Sequence, residues 1–139
     1  MKLTSVRSTA HGMAIGRILV GVGLLAAPSR AGRGWVGDSV DATVPRMLVQ
    51  SIGVRDLLLG IGTLVALRGG KPARMWLQIG VAADAADALL TLRYFGSLPA
   101  TGRIGTLAIT IGAAYAGLRT AARVDDALLP SPTSELAVA

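Results

Sequence analysis

Apolar residues dominate four stretches of the chain, residues 12–27, 46–67, 74–94 and 103–122, and the segments between them are short and rich in Gly, Pro and Arg. About 20 consecutive, mostly apolar residues are needed to cross a bilayer as a helix. The pattern therefore predicts an all-α, four-transmembrane-helix bundle over residues 1–123. Pro28 closes the first stretch. Residues 29–44, with Gly32, Gly34, Gly37 and Trp35, read as a loop, and Pro45 is suited to the first turn of the second helix. Arg68-Gly69-Gly70-Lys71-Pro72 reads as a tight basic turn, which makes the second and third stretches an antiparallel hairpin. Trp76 at one end of the third stretch and Tyr94-Phe95 at the other suit the two membrane interfaces. Residues 124–139, with Asp125, Asp126, Pro130 and Pro132, read as a poorly ordered tail.

Composition agrees with lipid as the solvent. Charged residues make up 16% of the 139, against about 25% in a typical soluble domain. The mean hydropathy is +0.57. The ten-residue run 18–27 is also of signal-peptide length, with Lys2 and Arg7 before it, but three further stretches follow and it reads as an uncleaved first helix. A net charge of +6 raises the question of nucleic acid, yet the cations cluster at the ends of the stretches, where they anchor helices and set topology. Counting Lys and Arg outside the stretches weakly favours both termini in the cytoplasm. The chain contains no Cys and a single His, His11. That leaves no disulfide, thiolate or multi-His metal site, and no nucleophile–base–acid set for an enzyme is visible. No cofactor is expected, and the partner expected first is the bilayer itself, with a homo-oligomer or larger membrane complex built on small-residue faces.

The charges that remain carry the chemistry. Arg17 lies in the first stretch, Arg55 and Asp56 in the second, and Asp84 and Asp87 in the third. An ion at bilayer depth costs about 3 kcal/mol, so five unpaired ions would cost on the order of 15 kcal/mol. They are therefore expected to form one intramembrane ionic cluster, two cations against three anions. Asp84 and Asp87 are close enough along a helix to repel. The simplest arrangement has one of them protonated and the other paired with Arg55 or Arg17. Two readings follow: a proton- or cation-responsive site with Asp84 and Asp87 as acceptors, or an ion-pair network that holds helix register. An Asp84-x-x-Asp87 pair without further ligands makes an incomplete metal site.

Helical spacing puts Gly53, Asp56, Gly60 and Thr63 on one face, and Gly80, Asp84, Asp87 and Thr91 on another. These two stripes are expected to meet in the hairpin, with Gln50, Gln78, Thr63 and Thr91 as polar lining. Gly12 with Gly16, and Ala108 with Gly112 and Ala116, are further small-residue packing faces. Gly16-Arg17 and Gly53-Val54-Arg55 also share a faint internal similarity, of the kind glycine-rich stretches show by chance.

Gly16-Arg17, Ala26-Ala27-Pro28, Gly53-Val54-Arg55-Asp56-Leu57 through Gly60, and Ala83-Asp84-x-x-Asp87 together resemble a group of uncharacterised four-helix actinobacterial membrane proteins, loosely similar to the DoxX-like small membrane proteins. The resemblance implies a multi-pass protein of the bacterial plasma membrane and no established activity. Redox chemistry on thiols or quinones, suggested for some DoxX-like proteins, finds no support in a chain without Cys.

Overall fold

The structure, a computed structural model, describes residues 3–69 and 72–124, and every element among them is helical: α1 (Leu3–Ala26), α2 (Pro28–Val36), a 3₁₀ turn (Gly37–Asp41), α3 (Thr43–Arg68), α4 (Ala73–Arg93), a short 3₁₀ turn (Phe95–Ser97) and α5 (Ala100–Ala121). Lys2, the Gly70-Lys71 step and the tail from Asp125 onward lie outside the described residues. Prolines punctuate the chain. Pro28 has no N–H to donate to the helix before it, and Ala27 leaves helical geometry at φ −138°. Pro72 and Pro99 take the position just before α4 and α5. Arg33, Arg68, Arg93 and Arg119 occupy the last turns of α2 to α5, where a cation opposes the negative end of the helix dipole.

Three helices are long and apolar enough to cross a membrane: α1 from Ser5, α3 and α4. The fourth long helix, α5, has 22 residues, about 33 Å at 1.5 Å per residue. Arg103 and Arg119 stand near its ends, and Gly and Thr recur between them.

The segment 29–44, expected as a loop, is mostly helical. Two features override the cost of glycine in a helix, about 1 kcal/mol each. Pro28 is pre-set for the first helical position. Gly32 sits under Val40 and Val49, where an added Cβ would lie 2.8 Å from Val40 Cγ2. The helix stops at Gly37, whose φ of +73° is left-handed. Arg33 then reaches across the exposed face to Asp41 at 2.6 Å.

α3 and α4 are antiparallel neighbours, with Gly62 against Trp76 and Arg55 on Asp87, but their small-residue stripes do not meet as expected. The most extensive packing is between α1 and α3 and between α4 and α5, with α3 against α4 well behind. Gly21 meets Gly53 and Ala14 meets Gly60, so α1 and α3 run antiparallel with their backbones in contact. A Cβ on Gly60 would lie 2.6 Å from the Ala14 carbonyl oxygen, and one on Gly21 would lie 2.7 Å from the Leu57 amide nitrogen. The α3 stripe therefore faces α1, not α4. Gly62, outside that stripe, takes the Trp76 ring of α4. Trp76 thus packs at a helix contact beside the core, whereas Tyr94 and Phe95 are exposed.

At one end of the bundle Val6 and Ala10 of α1, Ala66 and Leu67 of α3, Ala73 and Leu77 of α4, and Ala121 and Val124 form the buried core. Val124, which sequence placed at the start of the tail, is fully buried there. The outward surface is apolar on every long helix, with Leu19, Leu58, Leu89 and Ile109 among its most exposed residues.

Candidate functional site

Midway along the bundle, the five charged residues of the apolar stretches form one connected network. Arg17 on α1 donates from Nη2 to Asp84 Oδ2 at 2.6 Å and from Nη1 to Asp56 Oδ1 at 3.2 Å. Arg55 on α3 grips Asp87 with both ends of its fork, Nη1 to Oδ1 at 2.9 Å and Nη2 to Oδ2 at 2.7 Å. It also donates to Asp56 Oδ1, from Nη2 at 3.3 Å and Nε at 3.4 Å. The order is Asp84–Arg17–Asp56–Arg55–Asp87, spanning α1, α3 and α4. Asp56 and Asp84 are buried, while Arg17, Arg55 and Asp87 are half-buried.

Local structure explains the assembly. Neighbouring residues on a helix point about 100° apart. Asp56 can therefore face α1 from the glycine stripe of α3 while Arg55 turns towards α4. Asp84 and Asp87 share one face of α4, and each meets a different arginine. Fork-to-fork pairing of guanidinium and carboxylate is the strong geometry for such ions. Space for Arg17 comes from Gly80, where a Cβ would lie 3.0 Å from Arg17 Nη2. Gly80 therefore admits a guanidinium more than a neighbouring helix, a role its place in a small-residue stripe did not reveal.

The expectation that only one of Asp84 and Asp87 pairs with an arginine does not match this geometry. Asp84 and Asp87 have separate guanidinium partners, and Asp56 is the shared member. The faint similarity of the Gly16-Arg17 and Gly53-Val54-Arg55 segments has a counterpart here: each arginine takes one α4 aspartate and a share of Asp56.

Three of the four polar residues expected as lining bond to backbone carbonyls. Thr63 donates to the Leu59 carbonyl at 2.7 Å and Thr91 to the Asp87 carbonyl at 2.7 Å, so both hydroxyls turn back onto their own helices. Gln50 reaches the Leu25 carbonyl at 3.5 Å, and Gln78 is exposed on the outer face of α4.

Two cavities flank the network. One, of about 250 Å³, lies between α1 and α5 and is walled by Met13, Gly16, Val20, Ile109, Ala113 and Ala116, with Arg17, Asp56 and Asp84 at its charged side. The other, of about 220 Å³, has Asp87 and Thr91 on its wall beside Trp35, Ile52, Leu90, Tyr94 and Leu98. Trp35, read from sequence only as an interface aromatic, lines this cavity, and its buried Nε1–H has no partner among the described residues. Gly12, Gly16 and Gly112, expected as packing positions, have nothing within 4 Å of an added Cβ, and Gly16 instead borders the first cavity.

No family model matches the chain, and neither the curated proteins nor the solved structures give a significant match. The geometry of the site therefore stands alone as the basis for a functional reading.

Proposed function

We propose that this chain is a small integral membrane protein of the bacterial plasma membrane, with α1, α3, α4 and α5 as its four spans, working as an accessory or oligomeric subunit whose helix register is held by the buried Arg/Asp network. The observation that carries this reading is the pairing itself: all three core carboxylates are engaged by the two guanidiniums, at distances down to 2.6 Å. Such pairing removes most of the cost of five ions at bilayer depth. The outward apolar surface on α5 (Ile104, Ile109, Ile111) continues that of the other long helices, which supports its place as the fourth span. Val6 and Val124 pack in one cluster, so the two described ends share one side. The Lys/Arg bias, seven against five, favours the cytoplasm for that side. The motif resemblance to four-span bacterial proteins belongs to the same reading.

Native mass spectrometry of the tagged protein, gently extracted from its own membrane, tests the subunit role. A reproducible heteromeric or homo-oligomeric mass supports it. A monomer under all extraction conditions overturns it.

A second reading, a proton- or cation-coupled transport site at Asp84 and Asp87, is favoured by the two cavities that meet the network at Asp84 and at Asp87. Asp84→Asn and Asp87→Asn in liposomes test it. Loss of proton or cation flux supports transport, and unchanged flux removes it.

A further inference from the structure

The cavity between α1 and α5 joins two properties that together specify a ligand. It is a groove open on its outer side, with apolar walls: Met13 and Val20 (51% exposed) from α1, and Ile109 (71% exposed), Ala113 and Ala116 from α5. Its charged side is the Arg17–Asp56–Asp84 end of a network that holds three carboxylates against two guanidiniums. That network carries one formal negative charge in excess. Arg17 occupies Oδ2 of Asp84 and both arginines converge on Oδ1 of Asp56, and among the described residues the other oxygen of each carboxylate has no protein partner. The cavity thus offers acceptor oxygens, a net negative charge and apolar walls.

Size narrows the choice. A dry cavity of about 150 Å³ holds one benzene ring. Drug-sized ligands need about 300–1,000 Å³. A volume of about 250 Å³ accommodates one ring or a short branched chain with a small charged head. An anion is disfavoured by the excess carboxylate, and a hydrated metal ion by the apolar walls.

We propose that the α1–α5 cavity binds a hydrophobic organic monocation, a protonated amine or quaternary ammonium of about one-ring size, with its apolar body against Val20, Ile109 and Ala113 and its charge at Asp84 and Asp56. This deepens the cation-site reading above by naming the class of cation. The charged groups facing the ligand are Arg17 from α1, Asp56 with Arg55 behind it from α3, and Asp84 from α4, and α5 contributes none.

The test is calorimetric titration of the full-length protein in a neutral detergent with benzyltrimethylammonium, alongside neopentylbenzene, its uncharged carbon analogue. The expected result is one saturable site for the cation and at least about tenfold weaker binding of the neutral analogue, a difference of about 1.4 kcal/mol. Ala113→Phe, which fills the cavity, should abolish cation binding, and Ala116→Leu should weaken it, both with an unchanged helical circular dichroism spectrum. Asp84→Asn should remove the preference for the cation over the analogue. If Asp84→Asn fails to fold, the two alanine variants decide the matter. Absent binding, equal affinity for the two probes, or full binding in both alanine variants would overturn the proposal. Ion flux in liposomes is scored separately. Cation binding without flux retains the site and discards transport, whereas flux without cation binding retains transport and discards this site.

Discussion

The α1–α3 seam and the α1–α5 cleft use the same residue for opposite ends. Along the seam Gly21, Gly53 and Gly60 bring two backbones together, with partner atoms close to 3 Å or nearer to any added Cβ. Gly16, which borders the cleft, and Gly12, Gly105 and Gly112 of the same two helices face open space. The seam is closed and the network's Arg17–Asp56 contact lies within it. The cleft is open and the network's excess charge faces it. A stripe of small residues thus permits close approach without causing it. Arg17 ties α1 to α3 and α4 through Asp56 and Asp84, whereas α5 packs on α4, stands off from α1 and sends no charged residue of its own to the network.

The strongest way to break the contrast is to remove the ion that ties α1 to α3 and α4. Arg17→Ala leaves Asp84 and one side of Asp56 without a cation, and breaking a buried pair costs about 3–5 kcal/mol. A large drop in melting temperature in detergent is expected, and a near-normal melt would show that α1 is held by packing alone. Next in size is Gly60→Ala. Its Cβ meets backbone, which cannot rotate away, so overpacking should cost about 1–3 kcal/mol in the same assay. Wild-type melting would mean that the seam is looser than its geometry.

The Arg55–Asp87 pair sharpens the comparison, because it joins α3 to α4 outside the seam. Arg55→Ala and Asp87→Ala should each destabilise, and the double variant should recover about 0.5–3 kcal/mol relative to the sum of the two. Strict additivity would deny the coupling. Arg55→Ala with Asp56→Ala should recover less, since Asp56 retains Arg17. The smallest effect belongs to the cleft side. Gly112→Ala meets no neighbour and replaces a glycine in mid-helix, so it should be neutral or stabilise by up to about 1 kcal/mol. Loss of stability there would place an unrecognised contact on α5.

The long helices and the ionic cluster were legible in the chain because both follow from local composition and a simple energetic rule. An apolar stretch of some 20 residues has few alternatives to helix, and five ions inside such stretches cannot be left apart. Which ion meets which was not legible. Pairing depends on helix rotation and on the third helix that enters the groove, and neither is written in any one segment. The helix at residues 28–36 was hidden for a related reason: its glycines favour a loop locally, and only Val40 and Val49 closing over Gly32 reverse that preference.

By itself, then, the sequence determined four apolar helical stretches and the five residues that must find one another. Only the tertiary structure decided that Asp84 belongs to Arg17, that Asp87 belongs to Arg55 and that Asp56 is shared. It alone also decided which glycines are buried in a seam and which border a cavity. The physical reason is that periodicity sets the face a side chain occupies, whereas contact distance is set by the neighbour that arrives at that face.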